Sequence, residues 1–224
     1  MTPLAPAVHS LEADESSSPE ERILSAAHDF LFIRHSMVFT MDDLAGELGM
    51  SKKTIYLHFP GKDALLSALI ERLGTRMRSN LESIVSDPSL CCAEKLCRLI
   101  DRIGTALSRL RPSLLRDLKK EAPHLYQKLE DIRRRNIPHI FGRLVADGIR
   151  EGGIRSDVDP VFAAEFWFHA MRGLLDPETL ERTQMTPRQM LEKAIPLFFQ
   201  GLLNDQGRRQ YRQHIESCTR EKSA

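Results

Sequence analysis

Lysines, hydroxyls and an imidazole are concentrated in one short stretch, residues 40–62, TMDDLAGELGMSKKTIYLHFPGK. From Ser51 to Lys62 there are three lysines, one histidine and no acid. A lysine in such a field can neutralise a phosphate or donate to guanine O6 and N7. Thr40 and Ser51 stand where helices should begin; their hydroxyls can cap a first turn, and a capped helix N-terminus also suits an anion. Asp43, three residues after Thr40, is the acidic partner of a capping box. Leu44, Ala45 and Leu48 share an apolar face at helical spacing. Gly49 fits the left-handed residue that closes a helix, and Phe59-Pro60-Gly61 stops the next one. Two short helices about a turn glycine, the second polar and basic, form the helix-turn-helix pattern, whose second helix lies in the DNA major groove. Lys52 and Lys53 open that helix and are expected to reach base edges or flanking phosphates.

The whole chain gives these residues their setting. Its 224 residues are 42% hydrophobic and 28% charged with a formal net charge of +1. That composition suits a soluble globular protein and makes any nucleic-acid case local. No apolar run approaches the roughly 18–20 residues of a membrane span, and the first residues lack the basic and apolar regions of a secretory signal. A cytoplasmic protein is expected. Cys91, Cys92, Cys97 and Cys218 form no Cys-x-x-Cys pair and have no histidines at zinc-finger spacing. They read as reduced thiols used as small apolar residues; a thiol sensor at Cys91, Cys92 and Cys97 is the other reading. No metal site, no cofactor motif and no catalytic motif is found: there is no Gly-x-Gly-x-x-Gly, no P-loop lysine and no His-Glu-x-x-His.

Nearly everything after Ser18 has helical periodicity. The reading is all-α: a mobile acidic leader over 1–18, a three-helix helix-turn-helix head over 19–62, a helical body over 63–204 entered directly through a helix beginning near Asp63, and a charged tail over 205–224, solvated or frayed. Ser18 caps a first helix on Ile23, Ala27, Phe30 and Leu31. Further helices are expected over 63–86, on Leu96, Leu99, Ile100, Ile103 and Leu107, over 113–121, over 124–151, after Asp159-Pro160, and after Thr186-Pro187. The body should hold five or six helices. Pro138 and Pro196 fall inside two of them, Pro138 expected to kink or split its helix and Pro196 to kink its own.

Residues 39–69, and most specifically Thr-Ile-Tyr-x-His-Phe-x-x-Lys from Thr54 to Lys62, resemble the TetR family of one-component transcription regulators. The resemblance is strong over about the first quarter of the chain and only architectural beyond it. It implies an all-helical homodimer presenting two heads to a palindromic operator in double-stranded DNA, with a small molecule bound inside each body to alter DNA affinity. It implies backbone-contacting roles for Thr54, Tyr56, His58 and Lys62. Such contacts fix register and carry little sequence information. Ile55, Leu57 and Phe59 are assigned to packing within the head.

For an apolar, aromatic or cationic effector, the wall candidates are Leu96, Ile103, Phe141, Phe166 and Met171, with Arg133 and His169 as polar anchors. Arg133, Arg134 and Arg135 otherwise read as a solvated face from which one can turn inward. The dimer seam is assigned to Phe162, Ala163, Ile195, Phe198 and Leu202, on the last two major helices. The competing functions are a helical enzyme, which would consume its ligand, and an adaptor that keeps the head unused and forms no operator complex.

Overall fold

Prolines and caps punctuate this chain into helices. The computed structural model describes residues 18–34 and 37–221. The leader expected over 1–18 lies outside these apart from Ser18, and so does the side chain of Cys218. The helices run α1 Pro19–Phe32, α2 Met41–Leu48, α3 Lys52–His58, α4 Lys62–Val85, α5 Cys92–Ser108, α6 Pro112–Glu121, α7 Pro123–Arg150, α8 Pro160–Leu174, α9 Pro177–Thr183, α10 Pro187–Leu202 and α11 Asp205–Glu221. No strand is present among the described residues; one antiparallel bridge joins Ile154 and Leu203. Helices α1, α6, α7, α8, α9 and α10 each carry proline in the first turn, where its missing N–H costs nothing and its fixed φ favours the helix.

The chain divides into two compact units, residues 1–69 and 70–224. In the first, Ser18 caps α1 by accepting from the Glu21 amide at 3.2 Å, and Ile23, Leu24, Ala27, Phe30 and Leu31 are buried. The unit extends into α4 as far as Leu69, beyond the expected boundary at Lys62, and Leu65, Leu66 and Leu69 are all buried.

The second unit has a main core from α4, α5, α7, α8 and α10, built on Leu96, Phe141, Leu144, Trp167, Met171 and Phe199. A smaller cluster joins Leu115, Leu175, Leu180 and Met190. Neither Pro138 nor Pro196 splits its helix. Proline inside a helix costs about 3 kcal/mol, and here Ile132, Ile140, Phe141, Ile195 and Phe199 anchor both sides of the two sites by burial. Helix α9 was not expected, although Asp176 caps it and Pro177 opens it, the same signal that was read at Asp159-Pro160. With it, seven described helices follow α4.

The start of the tail is not a solvated appendage. Asn204 holds the α10–α11 joint to the Gly152-Gly153 turn: its Nδ2 donates to Gly152 O at 2.8 Å, its amide to Gly153 O at 3.2 Å, and its Oδ1 accepts from Gly207 N at 2.9 Å. Gly207 is buried there, and Tyr211 packs on the main core. A Cβ on Gly207 would lie 2.0 Å from Gly153 O, a backbone atom that cannot swing aside. Gly207→Ala should therefore destabilise the second unit by about 1–3 kcal/mol. Gly201→Ala, exposed and with open space around it, should be neutral or stabilising. Thermal unfolding of both variants checks this, and equal melting temperatures would contradict it.

Candidate nucleic-acid interface

The outward-facing chemistry of the first unit rests on how α3 is held. Thr40 and Asp43 form a reciprocal capping box at the start of α2: Thr40 N donates to Asp43 Oδ2 at 2.7 Å and Asp43 N to Thr40 Oγ1 at 3.1 Å. Gly49 ends α2 with φ 61° and ψ 25°, in the left-handed region, where a Cβ is penalised. The chain reverses there, Met50 N donating to Ala45 O at 3.1 Å. Ser51 caps α3, its Oγ accepting from Thr54 N at 3.1 Å and lying 2.8 Å from Thr54 Oγ1. The first turn of α3 holds no acid, so its partial positive end stays uncompensated from within the helix.

Ile55 is fully buried and Phe59 nearly so. Positions four apart share a helix face, so burying these two turns Lys52, Lys53, Tyr56 and Leu57 outward, and all four are exposed. Thr54 and His58 are half-buried at the flanks. The structure thus brings Ser51, Lys52, Lys53, Thr54, Tyr56 and His58 together on α3 and its cap, with Thr40 at the start of α2. Leu57 corrects the expectation of core packing: it is 81% exposed, because Ile55 and Phe59 claim the inner face.

Two lysines have protein partners that the sequence did not reveal. Lys52 Nζ lies 2.6 Å from Asp42 Oδ2, and this hydrogen bond holds its pKa above the ordinary lysine value. Lys62 Nζ donates to the carbonyls of Met37 and Phe39 and sits 4.4 Å from the Phe39 ring centroid. It thereby pins the segment entering α2, in addition to the phosphate role the resemblance implies. Phe39 stacks on Phe30 at 4.9 Å, which ties that segment to α1.

The residues proposed for the body sort less cleanly. Leu96, Phe141 and Met171 are buried in the main core, with Ile103 packed against it. Phe166 is 54% exposed and His169, 3.8 Å from Glu165, is also exposed; both stand on the outer face of α8 and line no interior. Of the three arginines, Arg133 turns inward. Its Nη1 lies 2.6 Å from Glu130 Oε1, with Arg172 Nε 3.2 Å from Glu130 Oε2. Burying the Glu130 carboxylate would be costly without these cations.

The seam assignment needs a similar correction. Ala163, Ile195 and Leu202 are core residues, each on the face of its helix that packs inward. Phe162 is 70% exposed, beside exposed Val161 and, on α10, Leu197. Phe198 spans the two environments, 5.3 Å from Phe141, 5.0 Å from Trp167 and 5.5 Å from Phe166 between ring centroids. Among the described residues no cluster of His, Cys, Asp and Glu is placed to hold a metal ion. Cys92 is buried and its thiol is pushed up to about 12, first by burial and then by the charge of Glu151, which makes it a poor nucleophile.

Residues 23–69 match the family model described as bacterial regulatory proteins, tetR family. The chain is 27% identical over 188 residues to the uncharacterized HTH-type transcriptional regulator YvaF of Bacillus subtilis (strain 168), covering 84% of this chain and 97% of that one. Among solved structures it resembles the SmeT–triclosan complex, with a TM-score of 0.62 and 19% identity over 83% of this chain and 92% of the other. It also resembles the regulator FadR from Bacillus subtilis in complex with stearoyl-CoA, with a TM-score of 0.58 and 19% identity over 80% and 96%. At these identities the likeness is one of fold.

The capping box makes a pH-dependent prediction. Bonds from the Thr40 amide, then from its hydroxyl, hold the Asp43 carboxyl below its ordinary value. A carboxylate with a lowered folded-state pKa contributes its full stability above the unfolded value and loses it as the pH falls through the folded one. Acidification through the carboxylate range should therefore fray the first turn of α2, and Asp43→Ala should fray it already at neutral pH. Amide hydrogen exchange at Thr40 and Asp43 reads this; protection that is independent of both pH and Asp43 would refute it.

Proposed function

We propose that this chain, which belongs to the TetR family of helix-turn-helix transcriptional regulators, acts as a ligand-responsive repressor that grips a palindromic operator as a homodimer. The observation that carries the reading is the division of α3 into a buried face of Ile55 and Phe59 and an exposed face of Lys52, Lys53, Tyr56 and Leu57. On this reading α3 lies in the major groove. Lys52 and Lys53 contact base edges or phosphates, Thr40, Ser51, Thr54, Tyr56, His58 and Lys62 hold the backbone, and Leu57 packs on a thymine methyl. The Asp42–Lys52 pair is exposed and therefore weak enough to exchange for DNA.

Pairing of two copies is supported by the apolar strip of Val161, Phe162, Phe166 and Leu197 left uncovered on α8 and α10. The proposed effector is a small apolar or aromatic molecule held in the body; the triclosan and stearoyl-CoA seen with two proteins of the same fold support that class. A ligand that prefers one body conformation shifts the population by its differential affinity. Losing the register of one head forfeits much of the paired affinity. The reading places the protein in the cytoplasm, needs no cofactor and assigns it no turnover. Among the described residues no helix is long and apolar enough to cross a membrane.

Selection of bound duplexes followed by gel shift over a salt series tests the DNA assignment. Tyr56→Phe should weaken binding to all sequences alike. Lys53→Ala should lower the salt slope by about one unit per head. Leu57→Ala should relax preference at one base pair of each half-site by about 1 kcal/mol. Absence of any complex at low salt would remove the reading. The seam is tested separately by sedimentation: Phe162→Asp with Phe166→Asp should yield monomers that keep their helical content and lose cooperative operator binding. Dimers that persist would relocate the seam.

A further inference from the structure

We propose that the crevice between the C-terminal ends of α4 and α7 and the first turn of α5 binds a small monocarboxylate through Lys95. The crevice has a volume of about 570 Å³, within the range of small-molecule sites. Lys95 lines it with a side chain only 6% exposed. An ammonium has three donors, yet its one hydrogen-bond partner among the described residues is Glu151 Oε1, at a long 3.4 Å. Glu151 is itself shared, because its Oε2 accepts from the Cys92 amide at 2.8 Å. A buried cation so thinly coordinated, beside open space, is a binding-site feature, since desolvating a charge is costly unless it is well paired.

The charges around the crevice select the ligand. Arg143 and Arg150 share Asp147, Arg143 Nε at 4.0 Å from its Oδ2 and Arg150 bonding its Oδ1. Lys95, Arg143 and Arg150 thus face Asp147 and Glu151, and Asp87 beside the crevice is matched by Arg98, whose charge acts on its carboxyl ahead of that of Lys95, which leaves one positive charge in surplus. Cys92, with its thiol pushed up to about 12, adds no negative charge near neutral pH. A monoanion closes this balance and a dianion exceeds it. Val85, Pro88 and Ala146 form an apolar wall in the same crevice, against which a short hydrocarbon can lie.

The proposal goes beyond the regulator reading and is tested without DNA, so the two fail independently. Isothermal titration of the full chain at fixed ionic strength would compare sodium butyrate, its neutral isostere butyramide, and inorganic phosphate. Butyrate should bind saturably, butyramide should not, and phosphate should bind more weakly than butyrate. Lys95→Met should lower butyrate affinity roughly tenfold or more, the usual loss for a charged hydrogen bond. Glu151→Gln should raise it by removing the competing carboxylate; a merely structural ion pair gives no such gain, and this arm stands if Lys95→Met fails to fold. Equal binding of butyrate and butyramide, tighter binding of phosphate, or no gain in Glu151→Gln would overturn the assignment.

Discussion

Burial of Ile55 and Phe59 on a two-turn helix is the constraint on which the first unit depends. A helix of seven residues has little stability in isolation, so α3 exists because its inner face is packed and its ends are capped. Once positions 55 and 59 are fixed inside, the azimuth of every other side chain on α3 follows. The supporting pieces all serve that placement. The Thr40–Asp43 box starts α2, the left-handed Gly49 turns the chain, Ser51 starts α3, and Lys62 anchors the segment before α2 through the carbonyls of Met37 and Phe39.

The same rule of faces organises the second unit on a larger scale. On α8, Ala163, Trp167 and Met171 recur at i, i+4 and i+8 and enter the core, while Phe162 and Phe166, about 100° away round the helix, stay largely exposed. Phe198 on α10 stitches the two sides by touching both Trp167 and Phe166. A strip of this kind is costly in a lone chain, and it coincides with the helices that the regulator reading assigns to pairing. Among the described residues the two buried charged ones are ion-paired, Glu130 with Arg133 and Arg172, and Lys95 with Glu151.

Helix starts were legible because their signals are local. Ser18-Pro19, Asp159-Pro160 and Thr186-Pro187 each combine a side-chain acceptor with a proline in the first turn, and the chemistry is complete within four residues. Asp176-Pro177 carries the same signal, but the seven residues of α9 hold too few apolar side chains to show a period. The continuity of α7 and α10 through Pro138 and Pro196 was not legible, since it depends on burial on both sides of each proline. On the recognition surface the residue types were readable and one orientation was not: Leu57 looks apolar and faces water.

The sequence alone thus determined the all-helical class, the helix-turn-helix, its caps and turn glycine, and the basic character of α3, because each is set by neighbours within a turn or two. The tertiary structure decided which face of each helix is covered. It placed Ala163, Ile195 and Leu202 in the core, left Phe166 and His169 outside, drew Arg133 inward to Glu130, and brought Lys95 and Glu151 together across 56 residues of chain. The physical reason is that an apolar stripe on a helix specifies that something must cover it, whereas what covers it depends on helices far away in the sequence.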